Sequence, residues 1–144
     1  MRNSRPYTCL IALAMLGACS AATAPLSAPT RNISGRWSYV ASSSDRVTLV
    51  TGTLAVTHQD GSTIAGTLDG QEADSYGVAR VVRGIVGGRV VADSSVEFDV
   101  VLSAGRTRRH IGTFVGDSVR GAWIEASDVQ VIATGSFRGR KDAP

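Results

Sequence analysis

Arg108, His110 and Glu125 are the three residues whose types and spacing bring different chemistries onto one face of this chain. Arg108 and His110 lie two apart, so an extended strand sends both side chains the same way. A hairpin returning through Gly116-Asp117 then sets Glu125 beside them. A guanidinium in such a place orients a carboxylate or phosphate, and Phe98, Phe114 and Trp123 on the same face would wall in an apolar tail. The same polar residues would equally serve as solvated strand ends, or Arg108 and Glu125 as a surface ion pair. Arg106, Arg108 and Arg109 form a wider basic group, able to meet anionic lipid, lipopolysaccharide or cell-wall polymer, or simply to keep a hairpin tip soluble. Without interleaved aromatics, and with Glu97 and Asp99 on the neighbouring strand, it does not suit nucleic acid.

No arrangement for catalysis accompanies these residues. His58 and His110 stand alone, and Asp69, Glu72 and Asp74 lack the spacing of a calcium loop. There is no G-x-S-x-G elbow, and the glycines punctuate strands and precede no phosphate-binding helix. The expectation is a protein that is not an enzyme, with no cofactor and no metal.

The elements that must position the group are strands. From Ile33 onward β-branched residues and glycines dominate, and Val96, Phe98, Val100 and Leu102 alternate with Glu97 and Asp99 at the period of a half-buried strand. Strands are expected over 34–41, 47–58, 62–69, 77–91, 95–103, 107–115, 118–125 and 129–138, the fourth bulged at Gly87-Gly88. Tight turns at 59–61, 92–94 and 116–117 alternate with looser connections at 42–46, 70–76, 104–106 and 126–128. That alternation places the tight turns with both termini and the looser loops at the opposite end of an all-β, antiparallel up-and-down barrel of about eight strands, closed so that no edge is left unpaired. With three-residue loops, Val96, Phe98 and Val100 face Phe114, Gly112 and His110; Val119, Gly121 and Trp123 follow, then Gly135, Ala133 and Val131.

The N-terminus adds an address. Arg2 and Arg5 precede an apolar run from Cys9 to Leu16, too short to cross a membrane, and Leu16-Gly17-Ala18-Cys19 resembles the lipobox of bacterial lipoproteins. The competing small-x-small cleavage signal, Ala22-Thr23-Ala24, is followed by Pro25, which disfavours it. The resemblance implies that residues 1–18 are a signal peptide and that Cys19 is lipidated. Residues 19–32 would hold the lipidated cysteine and a flexible Ala/Ser/Pro tether, and 33–144 the barrel domain. Ser20 in place of Asp implies sorting to the outer membrane, facing the periplasm, in a cell that has one. Cys9 would leave with the signal and Cys19 be consumed by lipid, so the mature domain would hold no disulfide. Of 15 basic residues, Arg2 and Arg5 leave with the signal, so 13 face 12 acidic ones, and net charge argues for no particular partner.

Gly35-Arg36-Trp37 resembles the first-strand G-x-W of lipocalin-like (calycin) barrels. The resemblance implies that Trp37 plugs the end near the termini against a basic residue of the last strand, Arg138 or Arg140. It also implies a small apolar or amphipathic ligand inside, held in the cell envelope. The alternative is a filled barrel whose surface meets another envelope protein, as protease-inhibitor barrels do. Interior volume separates the two.

Overall fold

The computed structural model describes residues 31–45, 47–127 and 130–143; the proposed signal peptide, Cys19 and most of the tether lie outside them. Eight strands follow one another: β1 (Gly35–Ser43), β2 (Leu49–Asp60), β3 (Thr63–Ala73), β4 (Ala79–Val91), β5 (Ser95–Leu102), β6 (Thr107–Val115), β7 (Ser118–Ser127) and β8 (Gln130–Lys141). Each pairs antiparallel with its neighbours in sequence, and β1 also pairs with β8, so the sheet is a closed up-and-down barrel. The cause is local. Alternating apolar residues give each strand one face that must leave water, and closure buries that face on all eight without leaving a free edge.

The tight connections lie at the end shared with the termini, where Gly61 and Gly116 adopt positive φ (55° and 57°) and Ala92 does so without being glycine (52°). At the opposite end, here called the loop end, β5 and β6 are joined by one 3-10 turn, Ser103–Gly105. Leu102 N donates to Arg106 O across it at 2.8 Å. That turn fixes a register two residues from the one expected: Val96 opposes Gly112, Phe98 opposes His110 and Val100 opposes Arg108. Between β7 and β8 the offset is four residues, with Trp123 opposite Gly135 and Val119 opposite Gly139. Both shifts are even, so the inward face keeps its membership. The exception is Val131. A bulge between Glu125 and Ala126 breaks the parity beyond it and leaves Val131 62 % exposed, not inward as expected.

The expected bulge at Gly87-Gly88 is absent, since β4 keeps an unbroken register with both neighbours. Gly88 instead makes room: a Cβ there would stand 2.3 Å from Glu97 O and 2.6 Å from Phe98 Cβ. The second irregularity of the barrel falls between Val56 and His58 in β2. Two inward glycines lie under aromatic rings, a Cβ at Gly135 falling 2.6 Å from the Trp123 ring and one at Gly112 falling 2.8 Å from Phe137 Cζ. They serve close packing.

Candidate functional site

At the terminal end Trp37 packs on Phe114 with ring centroids 6.1 Å apart, and its indole N–H donates to Ile33 O at 2.9 Å. Ile33 is held in turn by Gln59, whose side-chain oxygen accepts from Ile33 N at 2.9 Å. Arg31 reaches over Phe114, 4.8 Å from its centroid. The basic partner of Trp37 is Lys141, 6.0 Å above the ring and directly opposite it in register. Arg138 and Arg140, the expected partners, point outward into solvent, because even-numbered positions of β8 face away from the barrel.

The middle layer is aromatic. The His110 ring stacks on Phe98 at 4.3 Å, inclined by only 5°, with Phe137 edge-on at 5.0 Å. Its Nδ1 donates to Arg108 O at 3.0 Å, and its Nε2 accepts from the Tyr39 hydroxyl at 2.8 Å. A carbonyl oxygen only accepts, which fixes the neutral tautomer. Burial, reinforced by the Arg108 charge, holds the imidazole pKa down to about 3. Burial also pushes the Tyr39 phenol up to about 12, against the opposing pull of Arg108.

Above this lies a charged layer facing the loop end. The Arg108 guanidinium sits 4.5 Å over the Trp123 ring and is 1 % exposed. Its Nε donates to Glu125 Oε2 at 3.0 Å and its Nη2 to the same oxygen. Arg106 at the rim donates to Glu125 Oε1 at 2.9 Å. Glu72 enters from β3, takes a 2.9 Å bond from the exposed Arg80 and stands 3.8 Å from Arg108 Nη2. Arg108 Nη1 and Glu72 Oε2 are buried and find no hydrogen-bond partner among the described residues.

Arg108, His110 and Glu125 are thus brought together as the sequence pattern implied, but as buried groups and not as frayed or solvated strand ends. Phe98, Phe114 and Trp123 are buried too, yet they do not line a common chamber. The void beside Phe98 and Phe114, among Ile33, Trp37, Leu54 and Ile64, holds about 10 Å³ and is apolar. That is too small for a ligand tail.

The basic trio is divided among three environments. Arg108 is inside and Arg106 at the rim, while Arg109 is outside in a two-pronged pair with Asp99 at 2.9 and 3.1 Å. Asp69, Glu72 and Asp74 do not converge, and β3 runs on to Ala73, through the expected loop. Asp69 faces out toward Arg83, Glu72 faces in, and Asp74 accepts from Tyr76 N and Val78 N. Among the described residues no group of three or more potential ligands is placed to hold a metal. Sequence reasoning missed Glu72 and Tyr39 as site residues. Continuing the inward alternation Ile64, Gly66, Leu68, Gly70 by one step reaches Glu72.

No protein-family model matches the chain, and no curated protein matches it. Among solved structures it is similar to EF1p2_mFAP2b bound to DFHBI, with TM-score 0.60 and 13 % identity over 76 % of this chain and 93 % of that one. It is similar also to a de novo designed fluorescence-activating β-barrel, with TM-score 0.57 and 26 % identity over 76 % and 93 %. A third likeness is the redesigned β-barrel mFAP1 bound to DFHBI, with TM-score 0.55 and 12 % identity over 76 % and 94 %. The closed β-barrel fold is the common element.

Proposed function

We propose that this chain is a non-catalytic barrel of the cell envelope, anchored through lipid on Cys19, that takes a small ligand in the charged layer of its loop end. The observation that carries the binding half is the pair of buried, unpartnered atoms, Arg108 Nη1 and Glu72 Oε2. Both atoms are buried, and an unmet donor and acceptor inside a barrel is an unfavourable state that a polar ligand relieves. One is a donor and the other an acceptor. Two carboxylates already face Arg108, which disfavours a phosphate. The fitting head is small, neutral and able both to donate and to accept, such as a primary amide. The filled aromatic half allows it no long tail. Designed barrels of the same fold hold the small molecule DFHBI, which supports the idea that an eight-stranded barrel of this shape takes a compact ligand.

The test is native mass spectrometry of the protein extracted from its own host's envelope without denaturation. A stoichiometric adduct that disappears in Glu72→Gln supports the reading, and a clean apo mass from the native protein sinks it. The same spectra test the anchor: a diacylglyceryl mass on Cys19, absent in Cys19→Ser, supports it, and an N-terminus at Pro25 overturns it.

The second reading, a filled barrel working through its outer surface on an envelope protein, is favoured by the 10 Å³ left beside Phe98 and Phe114. A clean apo mass would bring it forward.

A further inference from the structure

The near-zero charge balance of the barrel conceals an uneven distribution. On the outer wall of β3 to β6 the arginines are matched: Arg83 with Asp69 at 3.4 Å, Arg89 with Glu97 at 3.0 Å and Arg109 with Asp99 at 2.9 Å. On the wall of β1, β7 and β8, the exposed Arg36, Arg120, Arg138 and Arg140 form no ion pair among the described residues. Arg120 and Arg138 stand directly opposite each other in register, an arrangement that destabilises a sheet unless something anionic sits across it. In the next row Arg140 lies between Ser118 on one side and Ser38 on the other.

These side chains border a shallow outer groove of about 520 Å³, whose lining includes Arg120, Arg138, Arg140, Ser118, Val40 and Val115 but no carboxylate. Val115 is 56 % exposed, so the groove joins cationic and hydroxyl groups to bare apolar surface. Two carboxylates, Asp117 and Asp142, line the adjoining groove with Arg36, and Asp142 is engaged by the Ser38 hydroxyl at 2.9 Å.

We infer that the β1–β7–β8 wall is a docking face for anionic lipid headgroups on a membrane surface. Guanidiniums in adjacent rows meet phosphates two-pronged, and Val40 and Val115 sit where apolar contacts with the headgroup boundary form. Arginines near a negative leaflet add their attraction, and the attraction fades within a Debye length. The wall borders the end at which Arg31 enters the barrel, bound to Asp93 and to Gly116 O. A tether leading from that end would keep the terminal end, and this wall where it borders it, close to the bilayer. The arginines of this wall attract an anionic surface whether or not Cys19 carries lipid.

Residues 31–144 contain the complete β1–β8 ring and its core, and this segment, checked for a cooperative melt, is the material for the test. Co-flotation is measured with vesicles containing 30 mol % phosphatidylglycerol, on the order of what a strongly anionic leaflet presents, and with pure phosphatidylcholine. The expected result is partition to the anionic vesicles only, suppressed in roughly 0.5 M salt. Arg120→Ser/Arg138→Ser/Arg140→Ser should reduce it at least about tenfold, while Arg83→Ser/Arg89→Ser/Arg109→Ser leaves it within about twofold. Equal loss in both triple variants, or equal binding to both vesicles, overturns the inference. So does competition by inorganic phosphate beyond that of chloride at equal ionic strength, which would assign a free-anion site. Tighter binding to a DNA duplex than to the anionic vesicles would assign nucleic acid instead.

Discussion

His110 is held as a neutral ring, since its Nε2 accepts from the Tyr39 hydroxyl only when unprotonated, and this ties barrel stability to pH. Its native pKa is held at about 3, whereas in the unfolded chain it titrates near 6.5. Between those values the unfolded state binds the extra proton, so stability is full above pH 6.5 and falls as pH drops toward 3. At pH 5 the loss amounts to about 2 kcal/mol, and urea titrations at pH 7.5 and 5 should show it shrinking in His110→Gln. Glu125→Gln leaves the buried Arg108 without its principal counter-charge, so the expected loss is about 3 kcal/mol. Adding Arg108→Met should restore much of it in the same urea assay. The inward direction of Arg108, His110 and Glu125 was legible because parity along a strand survives errors of register. Their burial was not legible, because it depends on Glu72 and Arg106 arriving from elsewhere to close the layer.

At the scale of the elements, turn chemistry and inward glycines set the tolerances. Ala92 sits at φ 52°, a region that penalises a Cβ by about 1 kcal/mol, so Ala92→Gly should raise the melting temperature by a few degrees. Gly135→Ala has the opposite expectation. Its Cβ would fall 2.0 Å from Ser42 O and 2.6 Å from the Trp123 ring, costing about 2–3 kcal/mol and altering Trp123 emission in the same melt. Strand existence and order followed from period-two alternation alone. Pairing offsets did not, because the sequence specifies which face a residue takes while loop geometry decides its partner. Ser103–Gly105 moved one hairpin by two residues, while the connection between Ser127 and Gln130 moved the other by three and the bulge after Glu125 by one more, without turning either inside out, Val131 excepted.

For the molecule as a whole, the two ends of the barrel are closed in different ways. The terminal end is plugged by Ile33 beneath Trp37, and Ile33→Ala should cost about 2 kcal/mol and enlarge the adjoining void enough for xenon to bind, detectable by chemical-shift titration. The loop end is closed by charge. Closure itself was foreseeable from eight alternating segments, but the filled interior was not, since inward glycines are compatible with a chamber or with rings laid over them. The seam between β1 and β8 brings the first and last strands side by side, with Asp142 N donating to Arg36 O at 2.9 Å. The barrel is therefore a ring whose opening point is a matter of genetic convenience. Joining 143 to 31 by a short linker and cutting between Asp74 and Val78 should yield a circular permutant with the same ladder, and a reporter fused at its new ends would project from the loop end.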